Sequence, residues 1–486
     1  MKLLLTLCAI AQAFQPALAA DSAETCDAFC QSLAQTAVTF ERSQFADPDR
    51  IFYKVPSNFS RNLAPGTILA VEHATNLSNY LVPSSLSMSR IIYTSTNLNG
   101  TIQPTSAYIL WPYMKPARSG FSAVAWAHGT SGNFAPCAPS NYRTLQYEFM
   151  VPFALAMQGI AVIAPDYVGL GIGSLPDGTP IPHEYTASPA QANDLANAVI
   201  AARSAFPENL AANGPFVVAG HSQGGGVSWA YAERQAKHPI AGYKGTLSIA
   251  PGLRSITWLK AALAEFAASA LSPSYAVLVT LQNKLVEGVT AVYPAYNYSG
   301  LTAASYDVWK NGVEKVQGCL ATDSYVQSAL LQNGNLTIDE LGRLNWPEDP
   351  IVQEFSNRTN VGGKKFAGPL LVLVGEIDST IPSELIEEVV DETCKLTEKS
   401  YDNEDLHFMS FGQMNHFPLI QASQHVWMDW IKDRLSSGSK NSRKLSKPKC
   451  KKTVVPGFRT NSTVQSIAPN WLVAAADPSK EWEYSF

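Results

Sequence analysis

Charge is scarce in this chain: Asp, Glu, Lys and Arg make up 15% of its 486 residues, against 46% hydrophobic. Disordered and nucleic-acid-binding chains need the opposite balance, so a large buried core is expected. Acidic residues outnumber basic ones, 40 to 35, which leaves no basic footprint for nucleic acid. No run after the first twenty residues reaches about eighteen unbroken apolar residues, so no membrane-spanning helix is expected. Cysteine is sparse, and no spacing forms a zinc pattern. The one close pair, Cys26 and Cys30, has no second pair or histidines near it. The turn Gly169-Leu170-Gly171-Ile172-Gly173 lacks the Lys-Ser/Thr of a phosphate loop. There is no internal repeat and no long low-complexity tract.

The N-terminus reads as an export signal. Lys2 supplies the positive charge and Leu3 to Ile10 the apolar stretch. Ala17 and Ala19, or Leu18 and Ala20, offer a small-residue cleavage site near residue 20. Without Cys8 in that leader, six cysteines remain: Cys26, Cys30, Cys137, Cys319, Cys394 and Cys450. An even count in an exported chain favours disulfides, but spacing alone does not give their connectivity. Sequons at Asn58, Asn76, Asn99, Asn297, Asn335, Asn357 and Asn461 fit glycosylation in a secretory pathway. The expected location is extracellular.

Residues 1–20 thus read as a signal peptide rather than a buried N-terminal helix, and 21–60 as an N-terminal arm. Short strands are predicted at 67–72, 89–94 and 105–111 by β-branched content and alternation. From there strand, loop and helix repeat. Strands are expected at 123–128, 160–165, 216–220 and 246–251, and helices at 143–158, 188–204 and 224–237. That rhythm predicts an α/β chain with a mostly parallel sheet covered by helices on both faces. Residues 21–252 form the first part of this core. The rhythm breaks over 253–366, read as a mainly helical cap or lid; a second packing layer is the plainer alternative. It resumes over 367–435, with strands at 369–375 and 407–411 and a closing helix at 417–435. Residues 436–452 read as a solvated linker, within a linker and tail spanning 436–486.

The strongest chemical signal is Gly220-His221-Ser222-Gln223-Gly224. An apolar strand precedes it and a helix follows, the setting in which a G-x-S-x-G serine stands on a tight turn with its hydroxyl exposed. The flanking glycines let the chain pass close to itself. A hydroxyl is a weak nucleophile and needs a base, which in turn needs an orienting carboxylate. Around such a serine turn the order is Ser, acid, His. Asp378 follows the strand at 369–375 directly, with Glu376 as its rival. His416 lies between the last strand and the closing helix. His407 and His425 sit inside regular elements, and His183, His221 and His238 precede the acid. The oxyanion hole needs two backbone N–H donors. Gln223 is the expected first, and Thr130 or Gly129 the second, in the small-residue loop His128-Gly129-Thr130-Ser131-Gly132. His128 reads as a brace for that loop. Asp166 reads as a buried turn acid, since it precedes the serine.

Several segments together resemble the secretory lipase family of fungi and actinobacteria. They are AWAHGTSG at 125–132 followed by CAPS at 137–140, APDYVGLG at 164–171, GHSQGGG at 220–226, and the late Asp378 and His416. The resemblance runs in order over roughly residues 60–435. It implies an α/β-hydrolase core, a helical cap inserted before the acid, and activity on carboxylic esters including lipids. It also implies the triad Ser222, Asp378 and His416. It suggests bridges Cys137–Cys319 and Cys394–Cys450, leaving Cys26–Cys30. Two departures stand out: the arm with Cys26 and Cys30 has no match, and G-H-S-Q-G replaces the G-Y-S-G-G toward which yeast members tend.

The expected reaction is acyl transfer through Ser222 to water, with no metal or organic cofactor. The partners are an ester or lipid substrate and a transient lipid interface, and the chain is expected to be a monomer. An imidazole base must be neutral to accept a proton, so activity should fall below about pH 6. The same triad can cleave amides or pass the acyl group to another alcohol, so a peptidase, amidase or acyltransferase is the rival enzyme. An inactive binding protein is the rival from another class. Trp258, Leu259, Leu263, Phe266 and Leu271 are apolar enough to line an acyl pocket, or simply to pack the cap.

Overall fold

The apolar runs bounded by Gly and Pro become strands of one sheet. The computed structural model describes residues 25–47, 49–116, 120–146, 150–267, 281–399, 405–436 and 450–458. The expected leader 1–20, Leu271, Asn461 and tail residues 437–449 and 459–486 lie outside the described residues, as does the side chain of Phe266. Among the described residues the strands are β1 (Ile68–Glu72), β2 (Ser87–Thr96), β3 (Ile102–Trp111), β4 (Ala123–Ala127), β5 (Ala161–Pro165), β6 (Phe216–His221), β7 (Tyr243–Ile249), β8 (Leu370–Gly375), β9 (Leu406–Phe411) and β10 (Cys450–Val455). Their spatial order is β1-β2-β3-β5-β4-β6-β7-β8-β9-β10. The first three and the β3–β5 pair are antiparallel; all later pairs are parallel.

The central strands β4, β5, β6 and β8 are apolar on both faces, because both are covered. Ala123, Ala125, Phe216, Val218, Leu370 and Val372 point into one hydrophobic cluster. Their alternates Val124, Trp126, Val217, Ala219, Leu371 and Leu373 point into the other. The helices in chain order are α1 (Ala28–Arg42), α2 (Pro152–Met157), α3 (Ser188–Ala205), α4 (Gln223–Lys237), α5 (Ser255–Ala267), α6 (Gln282–Val292), α7 (Ala303–Asp307), α8 (Leu320–Gln332), α9 (Pro350–Thr359), α10 (Ser383–Lys399), α11 (Pro418–Ala422) and α12 (Gln424–Leu435). α3 and α4 lie against the first cluster. Trp427, Met428 and Ile431 of α12 fill the second.

The inserted segment between β7 and β8 is helical: α5 to α9, with Val308–Glu314 wound as a π-helix after α7. It is fastened at one end by α1. Asp27 caps α1, accepting from the N–H groups of Phe29 and Cys30. The Cys30 sulfur is bonded to Cys26, and this bridge packs on Gly312, where a Cβ would meet both sulfurs at 3.1 and 3.3 Å. Deeper in, the Glu41 carboxylate accepts from Cys319 N–H (2.7 Å), Ala321 N–H (3.2 Å) and the Thr322 hydroxyl (2.7 Å). A residue of the arm therefore caps α8, whose first-turn N–H groups have no carbonyl within the helix. A buried ion pair, Lys284 of α6 with Asp323 of α8, joins the two cap helices.

Three elements differ from the sequence reading. The helix expected at 143–158 is only α2, because Leu145 and Gln146 adopt positive φ and Pro152 opens the first turn. The closing helix expected at 417–435 is two helices, α11 and α12, parted at Ser423. The solvated linker expected at 436–452 ends early: β10 begins at Cys450 and pairs in parallel with β9 from Leu406 to Phe411. Thr453, Val454 and Val455 are strand formers, and the preceding lysines masked them. Cys450 is tied to Cys394 of α10.

Candidate active site

Parallel strands end on the same edge of the sheet, so the loops that follow them gather there. β4, β6, β7, β8 and β9 are successive neighbours. The loop at 128–133, Ser222, Asp378 and His416 follow β4, β6, β8 and β9 in turn. This topology alone brings together four segments spread over almost three hundred residues.

Ser222 stands between β6 and α4 with φ 60° and ψ −122°. A serine at positive φ is strained and must be held by its surroundings. Its N–H donates to Ile249 O (3.0 Å), and its carbonyl accepts from Gly252 (2.9 Å) and Gly226 (3.2 Å). The glycines around it are required by contact. A Cβ on Gly220 would strike the carbonyl of Gly224, and one on Gly224 would strike the carbonyls of Ala127 and His128. The serine is partly exposed. Gln223 opens α4, where first-turn N–H groups have no partner within the helix. Among the described residues its side-chain nitrogen is also buried without a hydrogen bond.

Asp378 is 4% exposed and His416 3%. His416 Nδ1 lies 2.7 Å from Asp378 Oδ2. The other oxygen, Oδ1, accepts from the N–H groups of Thr380 (2.8 Å) and Ile381 (2.9 Å). The carboxylate is thus fixed by the backbone on one side and faces the imidazole on the other. Glu376, the rival acid, is exposed and accepts from Gln413 N–H. Asn415 joins the two loops: its Oδ1 accepts from His416 N–H (2.7 Å) and Ser379 N–H (3.1 Å).

His221 lies beside this pair. Its ring centroid is 4.5 Å from that of His416, and its Nε2 donates to the His416 carbonyl at 3.2 Å. Burial, and then the neighbouring His416, hold its pKa well below the usual imidazole value, so it is neutral. Sequence order set His221 aside as the base, but nothing in the sequence marked it, or Asn415, as a neighbour of His416.

The loop after β4 is braced by His128, which is buried. Its Nδ1 lies 2.6 Å from Gly129 O and its Nε2 3.3 Å from Asp166 O. Burial lowers its pKa to about 3, so it carries one proton, and the shorter contact takes it. In a planar trans peptide the carbonyl and the next N–H point oppositely. With Gly129 O turned to His128, the Thr130 N–H faces away from that ring. Among the described residues no backbone carbonyl accepts from it. Asp166 is fully buried and accepts from the hydroxyls of Ser106 and Ser140, both at 2.6 Å, and from Ser140 N–H. It braces the loops, and among the described residues no hydrogen bond joins it to His416.

The disulfides fall as Cys26–Cys30, Cys137–Cys319 and Cys394–Cys450. Cys137–Cys319 ties the segment after the β4 loop to the start of α8, and Leu320 N–H donates to Ser131 O at 2.9 Å. Trp258, Leu259 and Leu263 are buried in the cluster beneath the cap. All six described sequon asparagines, Asn58, Asn76, Asn99, Asn297, Asn335 and Asn357, are exposed. A small hollow lined by Phe121, Ala123 and Phe216 lies at the other ends of the strands, away from this chemistry.

A parallel sheet with a strained serine turn after one strand and an Asp–His pair after two others defines an α/β-hydrolase. The alpha/beta hydrolase family model matches residues 124–383, and the chain belongs to that family. Among solved structures it is similar to lipase A of Candida antarctica in its closed state. That match has TM-score 0.59 and 16% identity, covering 79% of this chain and 85% of the other. It is similar too to the rice cell wall degrading esterase LipA of Xanthomonas oryzae, with TM-score 0.52 and 16% identity, over 77% of this chain and 100% of the other. At such identities the likeness is one of fold. No curated protein matches the chain in sequence.

Proposed function

We propose that the protein is an exported serine carboxylic ester hydrolase. The observation that carries this reading is the buried His416–Asp378 pair at 2.7 Å, on the sheet edge where Ser222 stands at positive φ. With Nδ1 donating to Asp378, the proton-free Nε2 is the base. It takes the Ser222 proton as Oγ attacks the ester carbonyl. The oxyanion of the tetrahedral intermediate is met by the N–H groups of Gln223 and Thr130, with Gly129 lending the loop its close approach. The imidazolium returns its proton to the leaving alcohol, leaving Ser222 acylated. Water then gives a proton to His416, attacks the acyl carbon and frees the acid, and Ser222 recovers its hydrogen. Three disulfides and six exposed sequons support export and glycosylation. The lipase and esterase among the structural neighbours support esters as the substrate class.

The test is hydrolysis of p-nitrophenyl esters, from acetate to palmitate, by the secreted chain and by Ser222→Ala. Turnover by the native chain, abolished in the variant, is expected; the chain-length profile then separates a lipase from a short-chain esterase. A folded native chain inactive on every ester would sink the reading and turn attention to amides.

A further inference from the structure

Tyr185 has no part in the reaction just described, yet it touches the oxyanion loop. It lies in the loop before α3 and is 3% exposed. Its hydroxyl is 2.9 Å from Thr130 Oγ1. Two hydroxyls in contact can share their protons in either direction, and the surroundings choose between them. Among the described residues the Tyr185 hydroxyl has no other acceptor. A buried O–H left unpaired loses its hydrogen bond to water with no replacement. A phenol is also the stronger donor of the two. Burial pushes this phenol up to about 12, so it keeps its proton at any working pH. Tyr185 therefore donates, and Thr130, which is partly exposed, keeps its own proton for another group.

The phenol is held in place. Ring centroids run from His128 to Tyr167 at 4.1 Å, from Tyr167 to His183 at 6.1 Å, and from His183 to Tyr185 at 6.3 Å. Tyr185 then returns to Thr130, two residues after His128. The chain of contacts closes on the loop where it began. His183 Nδ1 is fixed by Val168 O at 2.9 Å. From the cap, Gly288 of α6 sits so close that a Cβ there would strike the Tyr185 carbonyl.

We propose that Tyr185 is a positioning residue for the oxyanion, donating to Thr130 Oγ1 so that the Thr130 O–H becomes a side-chain donor beside the two backbone N–H groups. This rests on reading the Thr130 loop as the oxyanion hole. A hydroxyl fixed in this way stabilises the intermediate more than the bound ester, so its loss falls on kcat rather than KM.

The experiment compares Tyr185→Phe, Thr130→Val, Thr130→Ser and the Tyr185→Phe/Thr130→Val pair on one p-nitrophenyl ester, with Ser222→Ala alongside. Thr130→Val should lower kcat by roughly 10²-fold, and Thr130→Ser should recover most of it. Tyr185→Phe should lower kcat by about tenfold with KM within about twofold, and should cost nothing further once Thr130 is Val. Effects that multiply in the double variant, or that fall on KM alone, would overturn the proposal. So would a Thr130→Val enzyme as fast as the native one, a result that stands even where Tyr185→Phe does not fold. Full turnover by Ser222→Ala would instead overturn the ester-hydrolase reading itself, and this proposal with it.

Discussion

The two oxygens of Asp378 have different partners, and that difference fixes the imidazole. Oδ1 is held by two backbone N–H groups, so Oδ2 is the oxygen that faces His416 Nδ1. Asp378→Asn should keep the fold but turn an N–H toward the ring. That reverses the tautomer and should lower kcat by about 10⁴-fold with an unchanged circular-dichroism spectrum. A second carboxyl is informative through pH. Glu184 is 6% exposed, and burial pushes its pKa from 4.5 up to about 7, although Leu98 N–H and Arg358 oppose this. Between those two pH values the folded chain holds a proton that the unfolded chain has lost. The stability linked to this group is full below about pH 4.5 and is lost as pH rises to about 7. Glu184→Gln does not titrate. Relative to the native chain, its stability should rise by about 3 kcal/mol between those limits and stay level outside them. Urea titrations at pH 4.5, 6 and 8 measure this, and a pH-independent difference would refute it. At this scale the sequence made Ser222, Asp378 and His416 legible, because each follows a strand in the required order. His221, Asn415 and Tyr185 were not legible. Their roles come from contacts between segments far apart in the chain, which no local pattern carries.

Among elements, α1 shows how a local feature acquires a distant purpose. The sequence reading took it only as part of an N-terminal arm, and nothing local marks its Glu41, since that carboxylate serves N–H groups 278 and 280 residues away. Burial raises the pKa of Glu41, while the hydrogen bonds from Cys319, Thr322 and Ala321 oppose the shift. Glu41→Ala should leave the first turn of α8 unpaired and cost about 3 kcal/mol, read as a lower urea midpoint. A midpoint unchanged within error would show that α8 finds other acceptors. The central strands were plain as apolar runs between Gly and Pro, and their parallel order followed from the helices between them. The short α2 and the late β10 were hidden for opposite reasons. Positive φ at Leu145 and Gln146 broke a helical pattern, and lysines disguised a strand whose stability comes from pairing with β9 and from Cys394–Cys450.

For the whole molecule, the bridge that matters most is Cys137–Cys319, which closes a loop of 182 residues and spans core and cap. The chain-entropy account of such a loop gives roughly 5 kcal/mol. Cys137→Ser with Cys319→Ser should therefore lower the urea midpoint markedly. It should also slow ester turnover, because Leu320 and Ser131 beside the bridge hold the loop after β4, the proposed oxyanion loop, to α8. A variant that loses stability but keeps full kcat would separate the two effects.

The partnership of α1 with α8 also has a history in time. On the ribosome, α1 is made before the cap, and the N–H groups that Glu41 receives emerge about 280 residues later. At 5–20 residues per second that is a wait of about 15 s to a minute. Through it, the apolar face of α1, with Cys30, Ala34 and Val38, has no cap to lie against. A nascent chain stalled before residue 319 should leave residues 28–42 open to protease, and a chain released after α8 should not. Among the described helices the arm's is thus the first to be made and among the last to find its seat.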